Sequence, residues 1–130
     1  MQLSVKYPEL IDEIKKFTNR EFGLEFVSND TLHVSAPIAI PILGTRTIGL
    51  DLKFLGFEGS TLKIKAASET ISKLLSLMPN YDYKKFIEFN GDTINVHLEN
   101  INGISAALQY IKPTKLTFDR TTAYVEAITI

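Results

Sequence analysis

The sequence predicts an α+β fold, a predominantly antiparallel sheet of about eight strands carrying three amphipathic helices mostly on one face. Three observations predict it. A plan of amphipathic helix, two short alternating strands and a tight polar turn recurs at about 8–36, 69–98 and 100–128. An extra hairpin at about 46–66 stands between the first two units. The hairpins also follow one another without the long crossovers that parallel strands need. The expected order is α-ββ-ββ-α-ββ-α-ββ, in a single globular domain over 1–130. Asp30-Thr31-Leu32-His33-Val34 matches Asp92-Thr93-Ile94-Asn95-Val96, but the spacings differ, so the recurrence fits either duplication or the ordinary grammar of an α+β chain.

The first helix is expected over about 9–21. Leu10, Ile11, Ile14, Phe17 and Phe22 fall near helical spacing, with Pro8 at the first turn and Gly23 as the stop. In the hairpin that follows, the loop Ser28-Asn29-Asp30 sets Phe26 opposite Leu32 and Leu24 opposite Val34. Ala36 to Leu43 is apolar but carries Pro37 and Pro41, which points to an edge strand or a loop. For the 46–66 hairpin, a loop at Phe57-Glu58-Gly59 would pair Phe54 with Leu62, Leu52 with Ile64 and Asp51 with Lys65.

Ser68 is placed to cap a second helix with Ile71, Leu74, Leu75 and Met78 along one stripe, ended by Pro79. Strands near 85–89 and 93–98 flank Asn90-Gly91, a strong hairpin signal. Their register is open, because Phe86 and Phe89 cannot both share the side of Ile87 in a regular strand. A third helix over about 103–111 is weakened by Gly103, and a last hairpin pairs Leu116 with Val125 and Phe118 with Ala123.

Composition excludes several kinds of activity. A net charge of −1, from 14 basic and 15 acidic residues, offers no general field for a polyanion, so nucleic acid is not an expected partner. The chain has no cysteine, which rules out disulfides, thiolate nucleophiles and thiolate metal sites. The longest stretch free of Asp, Glu, Lys and Arg, Thr31 to Thr45, is short and broken by two prolines, so no transmembrane segment is expected. Met1–Lys6 lacks the basic start and apolar stretch of a signal peptide. That makes the cytoplasm the expected compartment, with an exported protein whose leader has been removed as the alternative.

Polar residues suggest little chemistry. His33 and His97, the two histidines, fall on the polar faces of their strands with no carboxylate at ligand spacing, and no metal or other cofactor is expected. There is no nucleophile elbow, and the glycines form no phosphate-cradling loop ahead of a helix. Asp51, Glu99 and Glu126 read as solubilising strand carboxylates. Tyr81-Asp82-Tyr83-Lys84-Lys85-Phe86 has a texture that can stack bases, but near-neutral charge favours aromatic packing at a corner. Lys53, Lys63 and Lys65 read as a solvated face tempered by Asp51.

The surplus lies in apolar residues. Ile38, Ile40, Ile42 and Leu43 call for burial, which covering one end of the core, a subunit contact or the lip of an apolar pocket would each supply, and Phe54-Gly56-Phe57 forms a second apolar rim. These residues are the candidates for a ligand contact or an interface. The reading they support is a non-catalytic binding domain that holds an apolar, lipid-like molecule between sheet and helices, or a protein. The alternatives are a structural or interaction subunit that assembles as a homo-oligomer, and an enzyme with a scattered site around His97, Glu99 and Tyr124. Over Ile94 to Val125 the texture of amphipathic strands and apolar helix resembles one module of the tubular lipid-binding proteins, in pattern and without a diagnostic motif.

Overall fold

A computed structural model describes residues 1–18, 21–69, 71–72 and 85–130, apart from the side chains of 17–18 and 38–40. The elements are β1 (Gln2–Lys6), α1 (Tyr7–Thr18), β2 (Gly23–Ser28), β3 (Thr31–Ile40), β4 (Gly44–Glu58), β5 (Thr61–Lys65), β6 (Ile87–Asn90) and β7 (Thr93–His97). A 3-10 turn (Leu98–Asn100), a single-turn helix α2 (Ile104–Ala107), β8 (Ile111–Phe118) and β9 (Thr122–Thr129) complete them. The class is α+β with antiparallel ladders, as expected, but among the described residues nine strands form two sheets rather than about eight forming one. The orders are β1-β9-β8 and β2-β3-β4-β5-β7-β6. The additional strand is β1, whose Leu3 and Val5 pair with Val125 and Ala123 of β9. Residues 68, 69, 71 and 72 are helical, and the rest of the expected second helix and its aromatic connector lie outside the described residues.

Two hairpins have the anticipated register: Leu24 faces Val34 and Phe26 faces Leu32, while Leu116 faces Val125 and Phe118 faces Ala123. The Asp30 carboxylate holds the β2–β3 turn by accepting the Ser28 and Thr31 hydroxyls, both at 2.8 Å. The β4–β5 hairpin departs from expectation. Its turn is Gly59-Ser60, so Phe57 faces Leu62, and Phe54 faces Ile64 rather than Leu62. A bulge at Leu55–Gly56 adds one residue to β4, and Gly56 takes it up at φ 113°. Cross-strand partners share a face, so the bulge brings Phe54 and Phe57 to the same side of the sheet. In β6–β7, Phe89 faces Ile94 and Ile87 faces Val96, while Phe86 precedes the strand, which removes the conflict in register.

Residues 36–40 are strand, not loop, and with 44–48 they extend the β3–β4 ladder to the pair Ile40–Gly44, leaving 41–43 as the turn. Pro37 fits there because β2 stops pairing at Ser35, so that edge of β3 has no ladder for the missing N–H to break.

Among the described residues the buried ones gather in three clusters, around Tyr7, Leu32, Phe118 and Ala123, around Ile64, Ala66, Ile71 and Ile94, and around Ala36 and Leu50. Phe54 packs against the first two. Its ring meets Phe118 of the other sheet edge-on, with centroids 5.0 Å apart and an interplanar angle of 64°. Backbone bonds reinforce the joint, since the β2–β3 turn accepts Phe118 N–H on Asn29 (3.0 Å) and Phe54 N–H on Asp30 (2.7 Å).

Helix α1 is fastened to the β8–β9 turn. The Tyr7 N–H donates to the Thr121 carbonyl at 3.1 Å, and the Tyr7 hydroxyl donates to the Asp119 carbonyl. The Asp119 carboxylate accepts the backbone N–H groups of Thr121 (2.9 Å) and Thr122 (2.7 Å) and the Tyr124 hydroxyl (2.7 Å).

Candidate functional site

A concave apolar feature, a cavity of about 380 Å³, lies between the two sheets and α1. The β1-β9-β8 sheet supplies one wall through Val5, Leu116, Phe118, Ala123 and Val125. The facing wall is the inward side of β2 to β5, with Leu24, Leu32, Val34, Leu52, Phe54 and Leu62. Leu10 and Ile14, one turn apart on the apolar stripe of α1, meet Phe22 at the remaining side.

The local sequence explains why these side chains converge. Period-two alternation in both sheets sends each apolar set to one face, and the registers align those sets across strands. All of the described lining residues are apolar, so a polar group placed among them would lose its water without gaining a partner. An apolar molecule loses nothing there. Scaled from a cavity of about 150 Å³ that takes benzene, this one accommodates on the order of fifteen non-hydrogen atoms.

Of the candidates read from sequence, Phe54 lines the cavity, at its joint with Phe118. Phe57 shares that sheet face beyond the bulge, paired with Leu62, and is not part of the lining. Ile38 and Ile40 occupy register positions opposite Arg46 and Gly44 on the β3–β4 arm, and their side chains lie outside the described residues. Ile42 and Leu43 sit at the tip of that arm, away from the cavity lining. Sequence reasoning selected surplus apolar residues and so missed Val5 and Ala123, whose role depends on pairing between β1 and β9.

The polar candidates are dispersed over the outer surface. His33 Nδ1 lies 2.7 Å from Asp51 Oδ1, its direct neighbour across the ladder, so folding supplies the carboxylate that sequence spacing did not reveal. The β4–β5 register sets Lys53 rather than Asp51 opposite Lys65, whose ammonium lies 4.0 Å from Asp92, and Lys63 pairs with Glu58 at 3.0 Å. His97 lies 3.5 Å from Glu99 and 3.9 Å from Glu88. The Ser60 hydroxyl donates to Glu99 at 2.7 Å and, with a smaller contribution from His97, holds that carboxyl below the usual range. Of the residues in the alternative enzyme reading, His97 and Glu99 are neighbours, whereas the Tyr124 hydroxyl donates to Asp119 at 2.7 Å. No group of three or more histidines and carboxylates suited to a metal occurs among the described residues. The one α-helix in the Ile94–Val125 segment is the short α2, which has no buried residue, so the segment lacks an apolar helix for strands to wrap.

No helix among the described residues is long and apolar enough to cross a membrane. Compared with family models, with curated proteins and with solved structures, the chain matches none.

Proposed function

We propose that this protein is a non-catalytic binding domain that holds an apolar, lipid-like small molecule in the cavity between its two sheets and α1. One observation carries the reading, a cavity of about 380 Å³ whose described lining residues are all apolar and are drawn from both sheets and the helix. A medium-length fatty acid suits the volume, with its chain inside and its carboxylate left in water. Binding removes apolar surface from water on both partners and needs no buried hydrogen bond.

The test compares the wild-type protein with Val125→Phe, which adds bulk to the lining. Native mass spectrometry of the wild type as purified, followed by thermal melts of delipidated protein with dodecanoate, reads occupancy and stabilisation. At a hundredfold excess over Kd the ligand adds about 2.7 kcal/mol, a rise in Tm on the order of 10 °C for a domain of this size. Val125→Phe is expected to melt above the empty wild type and to lose the response. Equal responses from both proteins, or no response from either, would refute the reading.

A further inference from the structure

We propose that the tip of the β3–β4 hairpin is a membrane-docking wedge, which inserts Ile42 and Leu43 into an anionic phospholipid surface and sets Arg46 at the headgroups. Ile42 is 104% exposed and Leu43 59%, and Pro41 beside them is exposed as well. Ile42 also adopts φ 74°, a left-handed conformation that a β-branched residue disfavours. A strained turn that holds a large aliphatic side chain fully in water stabilises nothing within the fold. It suits a surface that receives the side chain from outside.

Backbone and charge agree with a bilayer as that surface. The ladder runs up to Ile40–Gly44, and Pro41 has no N–H, so few donors at the tip are left needing water. Between Asp30 and Asp51 there is no carboxylate, and Arg46 is the one charged side chain, His33 apart. Its guanidinium is exposed, donates to the neighbouring Thr45 carbonyl at 3.4 Å and joins no ion pair among the described residues. At about 3.4 Å per residue, Arg46 sits roughly 7 Å behind the Gly44 rung, a spacing that matches an apolar tip at the acyl boundary and a cation at the phosphates. A protein partner fits less well, because a stable interface buries about 800 Å² on each side and a three-residue turn cannot supply that.

Behind the tip, the rungs Ala36–Ile48, Val34–Leu50 and Leu32–Leu52 carry the same apolar face back to the cavity wall. Insertion of the tip does not depend on what the cavity holds.

The chain contains no tryptophan, so Leu43→Trp makes the tip its own reporter. Mixed with phosphatidylcholine vesicles containing roughly 30% phosphatidylserine, its emission is expected to shift to the blue and to be quenched by acyl-brominated lipid. Flotation of otherwise wild-type protein gives a second reading that needs no reporter. There Ile42→Ser is expected to weaken partition tenfold or more, and Arg46→Gln about fivefold. Unshifted emission with vesicles, or unchanged flotation of Ile42→Ser, would overturn the proposal. A blue shift that needs no vesicles and grows with protein concentration would also overturn it, by assigning the tip to a second copy. The dodecanoate response of the same samples is independent of these outcomes, so failure of the wedge and failure of the cavity reading are told apart.

Discussion

The Phe54–Phe118 contact is the sharpest place to test how the two sheets are joined, because one aromatic pair spans the joint and borders the cavity. Phe54→Ala removes a half-buried ring that packs in two clusters. Full truncation of a buried phenylalanine costs about 3–5 kcal/mol, and the value here belongs near 3 because one side of the ring already faces empty volume. Against a total stability on the order of 10 kcal/mol the variant stays folded, and its unfolding by urea is measurable. The informative quantity is the coupling in the cycle Phe54→Leu, Phe118→Leu and the double variant. An edge-on pair with centroids at 5.0 Å should contribute about 0.5–1.5 kcal/mol beyond the area each ring buries. Loss of the Phe54 ring also enlarges the cavity, so Phe54→Ala should shift preference from dodecanoate toward hexadecanoate. Strictly additive single variants, with Phe54→Ala costing under about 1 kcal/mol, would mean that the rings do not join the sheets as described.

Three further outcomes follow from the same coordinates. A Cβ at Gly49 would clash with His33 Nε2, so Gly49→Ala should destabilise the wild type by displacing the His33 ring, yet stabilise a His33→Ala background by about 0.5–1 kcal/mol, as measured by urea unfolding. Asparagine tolerates the left-handed backbone at position 42, so Ile42→Asn should raise stability by about 1 kcal/mol while lowering vesicle binding, and a loss of stability would contradict the strained turn. Stability should also fall at both ends of the pH range. The Asp119, Asp30 and Glu99 carboxyls are held below their unfolded values of 3.8, 3.8 and 4.5, chiefly by the Thr121 N–H and by the Thr31 and Ser60 hydroxyls. Their contribution is therefore present above about pH 4.5 and lost as pH drops through the folded values. Tyr7, raised above 10.0 first by burial, and Tyr124, raised first by its bond to Asp119, contribute below pH 10 and stop contributing as pH rises through their folded values. Urea midpoints at pH 3, 7 and 11 check both edges, and Asp119→Asn should flatten the acid one.

The parts of the fold legible in the sequence are those fixed by short-range alternation. The β2–β3 and β8–β9 registers followed from matching apolar faces across a short polar turn. The β4–β5 register did not: Gly59 takes the positive-φ place in the turn as expected, but the turn is Gly59-Ser60 and Gly56 serves as a bulge, and neither the turn length nor the bulge is visible from glycine alone. The face assignment survived this slip. The turn moves the pairing by an odd number of residues, and the bulge restores the parity that keeps Leu52 and Phe54 with Ile64. Strand β1 shows alternation at Leu3 and Val5, but five residues are a weak signal, and their partner lies at the far end of the sequence. The cavity was half legible. Leu24, Leu32, Val34, Leu52 and Leu116 each read as inward-facing, whereas the gap they enclose is a property of how two sheets meet. The candidates chosen for surplus apolarity led instead to Ile42 and Leu43, whose exposure follows from the turn between two prolonged strands.

The most direct test of the cavity as the binding site is methyl NMR of delipidated protein titrated with dodecanoate. The account predicts that methyl signals of Val5, Leu10, Ile14, Leu62 and Val125, which come from both sheets and α1, move together along one saturable curve while those of Val27 and Ile128 stay fixed. Shifts confined to exposed methyls, with the lining signals unmoved, would contradict it.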